Sequence, residues 1–520
     1  MNRIAVGLAA TICLRAAVFD VTTYGAKGDG KTENRAAINK AINAASAAGG
    51  GTVEFPPGTW LTGSIRLRSN VTLLLDPGSL IEASSYDSEY DPPEPNQWDT
   101  FQDYGHSHFH NSLIWGEGLE NIAILGAGRI SGKALTREQR STGGDKTIAL
   151  KLSHNVTLRD FSIAIGGHFA ILATGVDNLT IDNIKIDTNR DGIDLDSCQN
   201  VRVSNSSINS PNDDAITLKG SHALGVARTS ENITITNSLV SGFEIGSLLD
   251  GTFKRTLKAA PDRDGPTGRI KIGTESEGDF RNITISNIVF DNSRGLAIES
   301  VDGGHIEDVS VSNITMRDVT NSPIFIRLGS RMRAPEGTSV GSIKRINIAN
   351  VVAYNADPRY ASIISGIPGH DVEDVRLSGI RIVYRGGLTL AQVAQQPADL
   401  VNTFFFRTSG GVPLRAPYDT PELEKWYPEP SMFGLIPAYG FFIRHAKRIH
   451  LNDVDLSYMK EDNRAAFVLD TVEEIEFQHC KATTANLRPM FVLMRAKAVS
   501  AHQCAGHADF RVDSASRKEM

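Results

Sequence analysis

Short stretches in which apolar and polar residues alternate recur along most of the chain. Most begin with Asn and continue with alternating β-branched and polar residues, a pattern typical of a strand with one face in a core. The clearest copies begin at Asn70, Asn121, Asn155, Asn178, Asn200, Asn232 and Asn282. Degenerate copies follow as "DVSVSNITM", "RINIANVVA", "DVRLSGIRI" and "RIHLNDVDL".

The spacing of these strands predicts how they are stacked. Asn155, Asn178 and Asn200 begin copies that are 23 and 22 residues apart, with no helical pattern between them. Such a period predicts an all-β fold, a right-handed parallel β-helix (solenoid) whose successive coils stack. A β-sandwich also has many strands, but its hairpins would vary the interval and favour Asn-Gly dipeptides. We therefore expect a β-helix.

The remaining segments predict a single domain over residues 18–515. "NRAAINKAINAASA" has apolar residues at helical spacing and a Gly stop, which predicts a short N-terminal helix that caps the first coil. Wide intervals predict loop insertions at 221–230, 249–267 and 390–437. Residues 1–17 have the basic start, apolar run and small residues of a secretory signal peptide, so we expect a secreted or periplasmic protein.

Composition and charge exclude several other classes. The 520 residues are 40% hydrophobic and 22% charged, with a net charge of −7 and no basic stripe. This composition is that of a globular protein and argues against nucleic-acid or membrane partners. The four cysteines are too scattered for a disulfide framework or a zinc site. We expect a monomer that needs no cofactor and no metal.

A group of aspartates is the strongest candidate for chemistry. Counting thirteen residues from Asn155, Asn178 and Asn200 leads to His168, Asp191 and Asp213. In register, these side chains would form a column in which neighbouring coils are about 4.8 Å apart. Asp214 can join only if the backbone turns at 212–214, where Pro211 and Asn212 favour a break. Clustered carboxylates repel one another, which raises the pKa of at least one of them.

Such a cluster suits glycoside hydrolysis, in which one carboxyl protonates the leaving oxygen while another activates water. Two alternatives remain. The acids could hold calcium in a polysaccharide lyase on the same fold, with Arg269 or Lys271 as the base. The chain could also be a β-helix protein that binds glycans without catalysis.

Two motifs and the opening segment resemble glycoside hydrolase family 28, the polygalacturonases. "NRDGID" from Asn189 resembles that family's Asn-Thr-Asp-Gly-x-Asp motif, and "NDDAITLK" from Asn212 resembles its Asp-Asp motif. The opening "VFDVTTYGAKGDGKTENRAAINKAINAASAAGGG" is similar to its N-terminal cap. The resemblance implies inverting hydrolysis, with Asp213 as general acid and with Asp191 and Asp214 holding the nucleophilic water.

The sequence also departs from the family pattern. The coil after Asp213 carries Gly268, Arg269 and Ile270 where the family has Gly-His-Gly. One coil later, "GLAIES" places Ala297 and Glu299 where the family has an Arg-Ile-Lys motif that binds the substrate's carboxylate. A rhamnogalacturonan-type glycan is therefore a candidate substrate beside galacturonan.

Six further residues are predicted to bind substrate because of their position or charge: His168, Asp194, Lys219, Arg269, Lys271 and Arg327. The alternation in "HSHFH" would place three histidines on one face of a strand, which we interpret as a substrate-contacting loop. Tyr427, Phe433 and Tyr439 are candidates for stacking on sugar rings. The long insertions would wall off a cleft around the acids, which predicts attack at chain ends.

Overall fold

The structure is a computed structural model that describes residues 17–520 except 137, 139–141, 256–263, 403, 405, 407–412 and 487. Residues 1–16 of the predicted signal peptide lie outside the described residues, as does part of the predicted insertion at 249–267. Among the described residues, no helix is long and apolar enough to cross a membrane.

Nearly all regular structure is β-strand. The first coils use short strands: β1 Val18–Asp20, β2 Gly51–Phe55, β3 Gly58–Thr62, β4 Ile65–Arg66, β5 Val71–Leu75, β6 Ser79–Ala83, β7 Ser112–Glu117, β8 Glu120–Leu125, β9 Arg129–Ser131, β10 Lys146–Lys151, β11 His154–Arg159, β12 Ser162–Ala164, β13 Phe169–Thr174, β14 Asp177–Asp182, β15 Lys185–Asp187, β16 Asp191–Asp196, β17 Gln199–Ser204, β18 Ser207–Asn209 and β19 Ile216–Gly220.

In the later coils two short strands merge into one long strand. β20, for example, pairs with both β17 and β18. The strands of the later coils, long and short, are β20 Ser230–Ser241, β21 Ile270–Ser276, β22 Phe280–Asp291, β23 Leu296–Ser300, β24 His305–Arg317, β25 Ile324–Leu328, β26 Ser342–Ala356, β27 Ser362–Ser365, β28 Val372–Gly386, β29 Ala438–Lys460, β30 Ala465–Gln478, β31 Lys481–Ala482, β32 Phe491–His502 and β33 Phe510–Glu519.

Strands of successive coils pair in parallel, so the predicted fold class, a parallel β-helix, is confirmed. One run of paired strands comprises β7, β10, β13, β16, β19, β21, β23, β25 and β27, and we call it the site face. Helix α1, Arg35–Ala47, buries Ile38, Ala41, Ile42 and Ala45 against the first coil, which is the cap that the sequence predicts.

Both the backbone conformation and the side-chain hydrogen bonds favour Asn at the repeated position. Each leading Asn from Asn70 to Asn282 has a φ between 51° and 62°, the left-handed region that Asn tolerates better than most residues. Its side-chain amide also hydrogen-bonds to the Asn of a neighbouring coil. Asn232, for example, donates to Asn200 at 3.0 Å and accepts from Asn282 at 2.7 Å. The sequence period therefore marks one turn per coil.

Two segments lie over the site face, and both reach its middle coils, where His106 lies near Glu275 and Glu429 pairs with Arg269. The early cover, residues 84–111, contains α2 (Tyr104–Ser107) and packs Phe109 against Phe169 and Leu172. The late cover, the described residues of 387–437, contains α3 (Leu390–Gln395) and packs Met432 and Phe433 against a second apolar patch around Phe325. The described part of the insertion predicted at 390–437 is thus a packed cover with its own helix.

The C-terminal coils contain a pair of stacked cysteines. Cys480 and Cys504 are both buried, and the bridge between Lys481 and Ala505 places them at equivalent positions of adjacent coils. They are free thiols in the structure. Their separation of 24 positions is one coil, close to the 22- and 23-residue intervals of the sequence repeat.

Candidate functional site

Asp191, Asp213 and Asp214 come together at the start of two neighbouring strands of the site face. Asp191 begins β16, and the Asp213–Asp214 pair precedes β19. Each of the three residues offers a carboxylate oxygen, and these oxygens lie within 4.8 Å of one another. We call these residues the acid cluster.

An extra residue in the turn allows both adjacent aspartates to join. Asp177 pairs with Gln199, 22 residues on, whereas Ile193 pairs with Ile216, 23 residues on. The additional residue lies between Asn209 and Ile216, so the chain turns before β19 instead of alternating the two side chains across it. This is the backbone break expected at 212–214.

The predicted column of His168, Asp191 and Asp213 is wrong by one residue. Asp191 pairs in register with Phe169, so His168 lies level with Arg190. The count failed because Asn155 and Asn178 are 23 residues apart, whereas Phe169 and Asp191 are 22 apart. His168 instead contacts the guanidinium of Arg190, at 3.2 Å from Nδ1 to Nη1.

Two cations fix the charge of Asp214. Arg269 Nε lies 2.7 Å from Asp214 Oδ1, and Lys271 Nζ pairs with Oδ2. Burial alone would raise the pKa of Asp214, but these cations hold it well below the usual range of an aspartate. Both cations are themselves buried. Arg269 and Lys271 thus hold a carboxylate of the protein, which differs from the substrate contact that the sequence predicts.

Asp191 has the opposite environment. It is buried, and burial raises its pKa well above the usual value, reinforced by the charges of Asp213 and Asp194. The raised pKa favours the protonated form of Asp191, while Asp214 stays ionised. Asp213 is the most accessible of the three, with 26% of its side chain exposed.

Asp194 belongs to a second polar group beside the acid cluster. Its Oδ1 accepts a hydrogen bond from Thr217 Oγ1 at 2.5 Å, and its Oδ2 lies 3.7 Å from Lys219 Nζ. Burial raises the pKa of Asp194 to about 7, opposed by the charge of Lys219. Lys219 also pairs with Glu275 at 2.9 Å. Asp194 and Lys219, both predicted to bind substrate, therefore pair with each other beside the acid cluster.

Arg327, which is predicted to bind substrate, lies buried under the late cover. It is fully buried on β25, where it donates to Ser365 Oγ at 2.8 Å and to the carbonyl of Glu422 at 3.0 Å. In the structure it holds the late cover on the site face by donating to the carbonyls of Glu422 and Leu423. The sequence shows only that Arg327 is charged and does not show which loop folds over it.

The "HSHFH" histidines do not share a strand face. His106 lies in α2, buried beside Asp194 at 3.9 Å, because this segment turns into a helix before it reaches β7. Burial lowers the pKa of His106 well below its usual value. Of the three aromatic candidates, Tyr427 is 40% exposed and its hydroxyl is 3.5 Å from Lys271 Nζ. Phe433 and Tyr439 are fully buried in cores.

Sequence reasoning missed two residues that contact the site. Glu429 of the late cover pairs with Arg269 at 2.9 Å, which connects that cover to Asp214 through one guanidinium. Arg190 pairs with Asp213, at 3.2 Å from Nε to Oδ2. Arg190 carried a signal, since it occupies the Thr position of the family motif, whereas Glu429 carried none.

Comparison with known proteins finds relatives over most of the chain. Residues 18–89 match the family model "Rhamnogalacturonase A/epimerase, pectate lyase-like", and residues 104–253 match "Right handed beta helix region". Over 400 residues the chain is 26% identical to a Vitis vinifera protein named "Probable polygalacturonase", an alignment that covers 71% of this chain and 75% of the relative. The predicted resemblance to the polygalacturonases is confirmed.

Solved structures of polygalacturonases share the fold. The family 28 exopolygalacturonase of Yersinia enterocolitica is 17% identical with a TM-score of 0.64, covering 89% of this chain and 78% of that one. The exopolygalacturonase of Thermotoga maritima is 21% identical with a TM-score of 0.58, covering 71% of this chain and 87% of that one. At these identities the likeness to the polygalacturonase structures establishes the β-helix architecture.

Proposed function

We propose that the chain is a glycoside hydrolase that cleaves a pectic glycan, of galacturonan or rhamnogalacturonan type, by attack of water. The observation that carries this proposal is the division of the acid cluster into one ionised, buried carboxylate and one accessible carboxyl. Asp213 is the member that can reach a glycosidic oxygen and protonate it. Asp214 and Asp191 lie behind it and hold the water. The names of the relatives support the pectic substrate class.

The burial of Asp214 favours an inverting mechanism. Oxygens within 4.8 Å of one another are closer than the roughly 6.5–9.5 Å that separates acid and base in most inverting enzymes. A retaining enzyme, however, needs a carboxylate that bonds to the sugar carbon. Asp214 is 1% exposed, with both oxygens paired to cations, so a sugar carbon has no approach to it. We therefore propose that water attacks and that the anomer is inverted.

The two covers support attack at chain ends. The early cover packs on the site face at Phe169 and Leu172, and the late cover packs on it at Phe325. A polysaccharide that lay along the face in both directions would have to displace one of them. We propose that the last sugars of a chain enter between the covers. We also propose export of the protein, because of the predicted signal peptide.

Defined oligosaccharides test the function. Purified protein is incubated with oligogalacturonates and with rhamnogalacturonan oligosaccharides, with and without a calcium chelator, and the products are analysed by proton NMR and mass spectrometry. We expect saturated products, an inverted first anomer and no effect of the chelator. Unsaturated products that disappear with the chelator would identify the calcium-dependent lyase instead. Binding without cleavage of either glycan would identify a glycan-binding protein.

A further inference from the structure

Arg190 lies beside the acid cluster, where Asp213 and His168 are among its partners. The residue precedes β16, and its guanidinium contacts Asp213 through Nε and His168 through Nη1, both at 3.2 Å. Its side chain is 23% exposed, close to the 26% of Asp213. Arg190 and Asp213, the most accessible acid of the cluster, are therefore both partly exposed to solvent.

The other two cations beside the acid cluster, Arg269 and Lys271, are held in ion pairs with buried carboxylates. In the described part of the chain, Arg269, Lys271 and Arg190 pair with its carboxylates. Arg269 and Lys271 are buried, and Arg269 is held from its other side by Glu429. Neither can turn toward a ligand without leaving one oxygen of the buried Asp214 carboxylate without its cation, which is costly. Of these three, Arg190 is the cation that a ligand can reach.

The ion pair between Arg190 and Asp213 is longer than a typical arginine–carboxylate pair. A charge-assisted N–H···O bond is typically about 2.7–2.9 Å long, and the favoured arginine–carboxylate pair is bidentate. Arg228, which is equally exposed at 24%, approaches the two carboxylate oxygens of Asp177 at 2.9 and 2.7 Å. Arg190 reaches Asp213 at 3.2 Å, so a carboxylate with better geometry can compete for its donors.

His168 holds the guanidinium in place during such an exchange. Burial lowers the pKa of His168 well below its usual value, with a further contribution from the charge of Arg190, so the ring is neutral. A neutral ring has one nitrogen with a free lone pair, and Nδ1 faces Arg190 Nη1. His168 can therefore accept a hydrogen bond from Arg190 whether or not Asp213 remains paired.

We propose that Arg190 recognises the carboxylate of a uronic acid in the substrate, which replaces Asp213 as its partner. This inference rests on the proposed hydrolytic function and names the residue that selects the charged sugar. It also gives the charged substrate a second effect. Once the substrate occupies the guanidinium, Asp213 is released toward the glycosidic oxygen. A methyl-esterified sugar has no carboxylate and leaves the original pair intact.

The test compares acidic and esterified substrates. Arg190→Gln and Arg190→Lys are assayed on an oligogalacturonate and on its methyl ester of equal length. We expect Arg190→Gln to lower kcat/KM on the acidic substrate by about thirtyfold or more, the effect of losing a charge-assisted pair. On the ester the loss should be less than about threefold. Arg190→Lys, which keeps the charge without the planar fork, should fall between them.

A matched control and a binding measurement distinguish recognition of the substrate by Arg190 from a purely structural ion pair. Arg228→Gln removes an equally exposed ion pair away from the acid cluster and should leave the ratio of acidic to esterified activity unchanged. Equal losses on both substrates for Arg190→Gln, with a lowered Tm, would overturn the inference and leave Arg190 as a structural ion pair. If wild type hydrolyses neither substrate, the proposed function fails, and calorimetric titration with the oligogalacturonate then decides the role of Arg190. Equal affinity of wild type and Arg190→Gln would overturn it, and weaker affinity in Arg190→Gln would support it.

Discussion

The three carboxylates of the acid cluster have the same chemistry and three different environments. Burial raises the pKa of Asp191 despite the charges of Lys219 and Arg190, while Lys271 and Arg269 lower that of Asp214. Asp213 faces solvent beside Arg190. Neighbouring groups, more than residue type, therefore determine which carboxyl gives up a proton and which stays ionised.

Asparagine substitutions test these assignments one residue at a time. Asp191→Asn, Asp213→Asn and Asp214→Asn should each lower kcat by at least about a hundredfold, because each removes an acid or base that acts on the reacting groups. Reducing-end release from the substrate identified above is the measurement. Asp308→Asn, which changes an exposed aspartate paired with Arg345, is the matched control and should retain activity. An Asp213→Asn variant with near-normal kcat contradicts the assignment.

Asp194 predicts a pH dependence of stability. Burial raises its pKa from 3.8 to about 7, so the folded state favours the neutral carboxyl. A raised pKa contributes stability that is present below about pH 4 and is lost as the pH rises toward 7. Asp194→Asn keeps an acceptor for Thr217 and does not titrate. Its stability relative to wild type should therefore increase between pH 4 and pH 8, by up to about 4 kcal/mol. Thermal unfolding at both pH values is the measurement, and a constant difference contradicts the prediction.

At the residue scale, sequence reasoning identified acidic residues better than it identified their partners. Asp191, Asp213 and Asp214 lie in motifs that can be read locally. The cation that pairs with each acid comes from another coil, as Arg269 does from 55 residues beyond Asp214. Charge alone did not distinguish Arg327, which is buried under the late cover, from Arg190, which lies beside the acid cluster.

At the scale of strands and turns, coil length decides which side chains meet. One residue more or less between two strands moves every later side chain by one position, as the misplaced His168 shows. The strands themselves were predictable, because alternation and the repeated Asn mark each coil. The lengths of the turns at the corners were not, since no residue type marks an insertion of one residue.

The leading Asn of each coil can be tested by two substitutions at one position. Asn232 combines a φ of 58° with amide hydrogen bonds to both neighbouring coils. Asn232→Gly loses the bonds and keeps the backbone, which should cost about 1 kcal/mol. Asn232→Ala loses both and should cost about 2–3 kcal/mol. Urea unfolding measures the two values. Equal values would show that the left-handed backbone contributes nothing to the choice of Asn.

At the scale of the whole molecule, the covers predict the pattern of products. If only chain ends enter between them, digestion of a long pectic polymer should release small sugars early while viscosity falls slowly. Viscosity and new reducing ends are followed together in one digest. A rapid loss of viscosity with few reducing ends would mean that internal bonds are cleaved and that the covers move aside.

The β-helix could be predicted from the sequence, but the way in which the late cover folds over it could not. Repetition is a local signal, so the coils, α1 and the position of the late insertion were all accessible from the sequence. How that insertion folds depends on contacts such as Arg269 with Glu429, 160 residues away in the chain. Contacts between residues so far apart in the chain produce no repeating pattern in the sequence.

The last strand has a consequence for solubility. β33 runs antiparallel to β32, whereas the other paired strands of the described chain are parallel. It occupies the backbone donors and acceptors that β32 would otherwise present at the open edge of the stack, and it carries charged residues such as Arg511 and Lys518 outward. An unpaired edge invites pairing with another chain. Because α1 caps the other end, a chain that ends before Phe510 should therefore pair through β32 with a second copy, and light scattering would detect the dimer.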